Sequence, residues 1–98
     1  MDKAAVIARL REYEPELKAA GITRLSLFGS VARGDATSES DVDLMAEFDP
    51  TKQFSLLEMV SLENRLADIL GVRVELTLAR ALKDNIRERV RAEAVFAF

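Results

Sequence analysis

The sequence predicts an α/β sandwich in which helices pack on one face of a small mixed sheet, with elements in the order α-β-β-α-β-α. Three observations carry this reading. From Asp41 onward the residues alternate: Val42, Leu44, Ala46 and Phe48 would point one way and Asp41, Asp43 and Glu47 the other, the period of a half-buried strand. Val6, Leu10, Tyr13 and Leu17 recur at steps of four, three and four, the apolar stripe of a helix. Ser55-Leu56-Leu57-Glu58 has the form of a capping box and opens a second long helix.

The elements follow in chain order. Asp2 can cap a first helix reaching about Ala20, with Gly21 as its stop, and Pro15 inside it is expected to kink or split it. Tyr13 belongs to the apolar stripe and takes no functional role. Ile22 to Phe28 read as the first strand, with Leu25 and Leu27 on one face. Gly29-Ser30 end it, and Ser30 is expected to cap a short helical turn through Ala32 and Arg33. The stretch 34–40 reads as a polar loop, in which Asp35 suits a turn or capping role and Ser40 stays open between structure and site. The second strand runs from Asp41 to about Phe48, where Asp49-Pro50 end it. The helix opened by Ser55 runs to about Leu70 and Gly71. Leu56, Met59, Val60, Leu62, Leu66, Ile69 and Leu70 give it a broad apolar face, read as core with part of its breadth open to a partner. Val72 to Leu76 form the third strand, Val72, Val74 and Leu76 inward and Arg73, Glu75 and Thr77 outward. From Ala79 to about Ala94 a last helix is expected, with Leu82, Ile86 and Val90 as its core stripe and a basic, solvated remainder. The apolar end, Ala94 to Phe98, either adds an edge strand or docks on a partner.

Composition narrows the class. Ninety-eight residues suit one domain, 1–98, with a modest core. Hydrophobic residues at 49% and charged residues at 32% describe a globular rather than a disordered chain. A net charge of −3 argues against a protein that lives on nucleic acid through bulk charge, so no direct nucleic-acid partner is expected. There is no cysteine, hence no disulfide or thiol chemistry. No signal-peptide pattern and no apolar run of membrane-spanning length is evident, so the expectation is a soluble, cytoplasmic protein with no membrane partner.

The chemistry lies in Leu27 to Leu44, LFGSVARGDATSESDVDL. Asp41 and Asp43 stand on one side of a strand, their α-carbons roughly 6–7 Å apart at the strand rise. Two carboxylates at that spacing repel unless a cation lies between them, and hard oxygen ligands without His or Cys suit Mg²⁺ or Mn²⁺. Gly29 lets a phosphate approach the backbone, Ser30 offers a hydroxyl donor, and Arg33 offers a guanidinium that forks onto phosphate oxygens. Phosphate binding at one end and metal binding at the other imply metal-assisted chemistry on a nucleoside triphosphate.

Gly29-Ser30, ten residues, then Asp41-Val42-Asp43 resembles the signature of the DNA polymerase beta-like nucleotidyltransferases. FGSVARGDATSESDVDL looks most like the minimal nucleotidyltransferase branch. The resemblance implies that fold, two divalent ions bound by Asp41 and Asp43, and a third carboxylate on the next strand, where Glu75 stands in place of the more usual Asp. One ion would hold the triphosphate of ATP, gripped by Gly29 and Ser30, while Arg33 could neutralise the leaving group. Larger members append a helical domain for the acceptor; here another molecule is expected to bring it. The resemblance implies a HEPN-type toxin, a helical ribonuclease, as that molecule. The expected activity is then that of an antitoxin, in a hetero-oligomer with the toxin, transferring AMP from ATP to a toxin tyrosine. The alternative is a nucleotide-binding antitoxin of weak or lost activity that neutralises by binding alone, for which Glu75 is the main support. Transfer to a small molecule is a third, weaker reading, since no acceptor pocket is evident.

Overall fold

The computed structural model describes residues 2–35, 37 and 41–98. Its helices are α1 (Lys3–Glu12), α2 (Glu14–Ala19), α3 (Gly29–Arg33), α4 (Leu56–Leu70) and α5 (Asp84–Glu93); its strands are β1 (Ile22–Phe28), β2 (Val42–Phe48), β3 (Val74–Leu78) and β4 (Val95–Phe96). The sheet order is β3-β2-β1-β4. β1 runs antiparallel to both β2 and β4, whereas β2 and β3 are parallel, so the sheet is mixed as the sequence predicts. A parallel pair needs a crossover between its strands, and α4 supplies it.

The register sorts side chains onto two faces. Leu25 lies opposite Ala46 and Leu27 opposite Leu44, and these face the core with Val42. Val6 and Leu10 of α1, Leu17 of α2, and Leu62, Leu66, Ile69 and Leu70 of α4 cover them. Burying a leucine of this kind contributes about 1.5–3 kcal/mol. On the other face Ser26 lies opposite Met45, Phe28 opposite Asp43, and Asp43 beside Glu75. The strand alternation thus delivers the acids to the side away from the main core.

Local signals set most boundaries. Asp2 caps α1 by accepting the Ala5 N–H at 2.8 Å. The expected break at Pro15 is a split: Tyr13 separates α1 from α2, and the proline sits in the first turn of α2, where its missing N–H has no intrahelical partner to lose. The capping box is formed, with Ser55 Oγ accepting the Glu58 N–H at 3.1 Å and the Glu58 carboxylate accepting the Ser55 N–H at 3.4 Å. The terminal segment takes the edge-strand option. Val95 lies opposite Leu27, and fully buried Ala97 donates its N–H to the Leu25 carbonyl at 2.9 Å while its own carbonyl accepts from Arg11 Nε at 2.7 Å.

Three expectations need correction. β3 spans Val74–Leu78 rather than Val72 to Leu76, because its partner β2 begins at Val42, which lies opposite Val74, and leaves Val72 without a strand beside it. The last helix does not run from Ala79. Residues Ala79–Ala81 form a 3-10 turn, Leu82 and Lys83 are extended, and α5 buries none of its residues, Ile86 being 42% exposed. Arg87 explains this: its Nε donates to the Ala79 carbonyl at 3.0 Å and one Nη to the Leu82 carbonyl at 3.1 Å, so polar bonds rather than the Leu82-Ile86-Val90 stripe hold α5. Finally, the first turns of α4 stand off the core. Leu56, Leu57 and Val60 are exposed, and Met59 and Val60 line a groove of about 370 Å³ with Leu76 and Leu78 of β3. Glu63, one turn further along, accepts the outward-facing Leu76 N–H on the free side of β3 at 2.9 Å. Among the described residues no helix is long and apolar enough to cross a membrane.

Candidate active site

β1 delivers the backbone to Gly29, whose φ of +75° is a left-handed conformation that favours glycine. A Cβ there would run into the Asp43 carboxylate and lie 3.2 Å from the Asp43 Cβ. The two halves of the sequence motif are therefore in contact, the Gly29 backbone lying flat against the Asp43 side chain. α3 starts at Gly29 itself, with Phe28 in the capping position and no side-chain cap, so Ser30 does not cap the helix as expected. It sits in the first turn, its hydroxyl unspent on capping. Val31 and Ala32 are buried and anchor this short helix.

Arg33 ends α3. Its Nε lies 3.4 Å from the Asp35 carboxylate and one Nη lies 3.5 Å from Glu93 of α5. Asp35 keeps its expected turn role, donating its N–H to the Ser30 carbonyl at 3.0 Å, and adds this ion pair. Of the polar loop 34–40, residues 36 and 38–40 lie outside the described residues, and with them the open reading of Ser40.

Asp43 is the partly buried centre of the acidic group. Burial pushes its pKa up, the charge of Glu75 and a hydrogen bond with it push further, and Asp41 adds to the rise, while Arg33 pulls back down. Asp41 and Glu75 are exposed. Among the described residues no three acids gather closely enough to form a metal shell by themselves. The expected cluster of Asp41, Asp43 and Glu75 is therefore not assembled as a protein cage, and a Mg²⁺ ion held by one or two of these carboxylates would need substrate phosphates to complete its octahedron. The mutually repelling oxygens of Asp43 and Glu75 are the kind of donors that fit such an ion. Beyond Asp43, on the β3 side, Asp41, Glu63, Asn64, Arg73 and Glu75 line an open groove of about 380 Å³.

The structure thus sets Gly29 against Asp43 and Asp43 beside Glu75, with Ser30 in the first turn of α3, whereas the Arg33 guanidinium is turned to Asp35 and Glu93 and Asp41 stands exposed ahead of β2. Sequence reasoning missed Glu93 and Glu63. Each comes from a distant helix, with no spacing signal linking it to the motif.

The nucleotidyltransferase domain family matches residues 7–97. The chain is 38% identical over 76 residues to the protein adenylyltransferase MntA of Thermococcus cleftensis, covering 78% of this chain and 75% of that one. A solved minimal nucleotidyltransferase superposes with a TM-score of 0.81 at 37% identity, over 97% of this chain and 95% of that one. An MNT antitoxin solved in complex with a tri-AMPylated HEPN toxin of Shewanella oneidensis shares the fold, with a TM-score of 0.67 at 16% identity over 93% of this chain and 70% of that one. A glycine backbone packed on a β-strand carboxylate, in a chain this similar throughout, leads to one assignment: the protein belongs to the nucleotidyltransferase domain family, as one of its minimal nucleotidyltransferases.

Proposed function

We propose that this nucleotidyltransferase is the antitoxin of a HEPN/MNT-type toxin–antitoxin pair and transfers AMP from ATP to a tyrosine of its toxin. The observation that carries the reading is the contact between Gly29 and Asp43, the two halves of the sequence motif; in this reading the glycine would seat phosphate and the carboxylate would hold a metal ion. The name of the Thermococcus relative and the AMPylated toxin beside the Shewanella antitoxin support the choice of reaction and partner.

In this reading the backbone at Gly29 and the Ser30 hydroxyl hold the outer phosphates, and Arg33 balances charge on the departing pyrophosphate. Divalent ions held by Asp41, Asp43 and Glu75 would supply charge neutralisation at the α-phosphate and a lowered pKa for the attacking hydroxyl. The bond from the tyrosine oxygen to the α-phosphorus forms as the bond to pyrophosphate breaks. In-line displacement puts attacker and leaving group on opposite sides. With pyrophosphate leaving toward Gly29, the tyrosine approaches from the β3 side, where the groove of Asn64 and Arg73 opens.

The test incubates the purified protein with Mg²⁺, ATP labelled at the α-phosphate and the product of the neighbouring gene. We expect label on the partner and a loss of at least about a hundredfold in the Asp41→Asn/Asp43→Asn variant, with the complex retained. A tight complex that never carries label would instead support neutralisation by binding alone.

A further inference from the structure

α5 is the helix with the least apolar attachment. It buries none of its residues, and its anchors are polar: Arg87 on the carbonyls of Ala79 and Leu82, Arg91 with Glu47 at 3.5 Å, and Glu93 with Arg33 at 3.5 Å. The last of these reaches the active site. Arg33 closes the short helix that starts at Gly29, and its charge is felt at Asp43. A phosphate seated at Gly29 and Ser30 would therefore compete for a guanidinium that Glu93 holds from α5 through one Nη while Asp35 meets its Nε. Carboxylate and phosphate oxygens compete for the same N–H fork, and phosphate brings more charge and more acceptors. The Arg33 and Glu93 side chains are 48% and 52% exposed, so water competes for the pair and it yields at little cost.

We propose that Glu93 is a positioning residue for Arg33: it holds the guanidinium toward α5 until a triphosphate takes it, so that ATP binding releases the C-terminal end of α5. The inference rests on the ATP reading above and adds a consequence to it. Glu93 lowers the affinity for ATP, and the helix that carries it reports whether the site is filled. The coupling is local, because β4 follows α5 almost directly and pairs Val95 with Leu27, two residues before Gly29.

The test titrates Mg²⁺ and the non-hydrolysable analogue AMP-PNP calorimetrically into the wild-type protein and into Glu93→Gln, Arg33→Gln and the double variant. Glu88→Gln on the same helix serves as the control for loss of one negative charge. We expect Glu93→Gln to bind roughly two- to fivefold tighter, the range that breaking one exposed ion pair allows. Glu88→Gln should bind as wild type, and the gain should vanish in the Arg33→Gln background. Amide exchange across residues 84–93 should be faster in Glu93→Gln than in wild type without nucleotide, and AMP-PNP should bring wild type to the variant's level. Equal or weaker binding by Glu93→Gln overturns the proposal, as does a gain that persists without Arg33 or α5 exchange that ignores both changes. A wild-type protein that binds no AMP-PNP sinks the ATP reading and this inference together. Binding that is indifferent to Glu93 sinks this inference alone.

Discussion

At the scale of single residues, Asp43 carries an electrostatic cost in the folded protein that the proposed metal site would explain. Its carboxyl is partly buried, faces Glu75 and feels Asp41, and its pKa is raised, so the ionised form is disfavoured in the folded protein. The sign follows from linkage. An acid whose folded pKa is raised favours the fold below its unfolded value of about 4, and that contribution is lost as pH rises through the folded value. Asp43→Asn should therefore raise the melting temperature at pH 7 in the presence of a chelator, the gain shrinking to nothing near pH 3, while transfer is lost. A melting temperature unchanged or lowered at pH 7 would show that burial and the neighbouring acids do not disfavour the ionised Asp43. Asp41, Asp43 and Gly29 were legible because a strand's two-residue period and a glycine before a polar turn are local properties. That Asp43, rather than exposed Asp41, is the repulsive centre was not legible, since burial is set by neighbours distant in sequence.

At the scale of elements, the signals that held were caps and breakers. Ser55, Gly71 and Pro15 act within a few residues of themselves, so their effects survive folding nearly unchanged. The α4 cap is worth testing against the exposed side chain beside it. Ser55→Ala should cost about 0.5–2 kcal/mol, because the Glu58 N–H loses its acceptor, whereas Leu57→Gln should stay within about 0.5 kcal/mol. Thermal unfolding of both checks this, with a shift of about 4–8 °C expected per kcal/mol in a chain of this size. α5 shows the opposite case. Leu82, Ile86 and Val90 have the right spacing for a core stripe, but periodicity says only which residues share a face, not whether anything covers it. The Arg87 bonds that settle its position join side chain to backbone across a turn, and no apolar pattern encodes them.

At the scale of the whole molecule, the last residues of the chain are fastened to β1, α1 and α2 together. Ala97 is fully buried, bonded to Leu25 through its N–H and to Arg11 of α1 through its carbonyl, and the Lys18 ammonium lies 5.9 Å from the Phe98 ring centroid. Ala97→Glu should cost at least about 3 kcal/mol in denaturant unfolding, by placing an unpaired charge beside the core. Phe96→Glu, at a site 55% exposed, should cost no more than about 1 kcal/mol. The sequence leaves this segment open between strand and docking patch, because five apolar residues in a row, Ala94 to Phe98, satisfy either. Only the register with β1 decides.

The carboxylate of Glu63 on the Leu76 N–H has one more consequence. An uncovered strand at the border of a sheet is a template on which another chain can lengthen the sheet, the first step toward fibrous aggregates. Here one border is plugged at Leu76 by that side chain, and the opposite border, β4, is only two residues long. Both features are of the kind that blunts an edge against a foreign strand, a side chain on a border N–H and a border strand too short to serve as a long template.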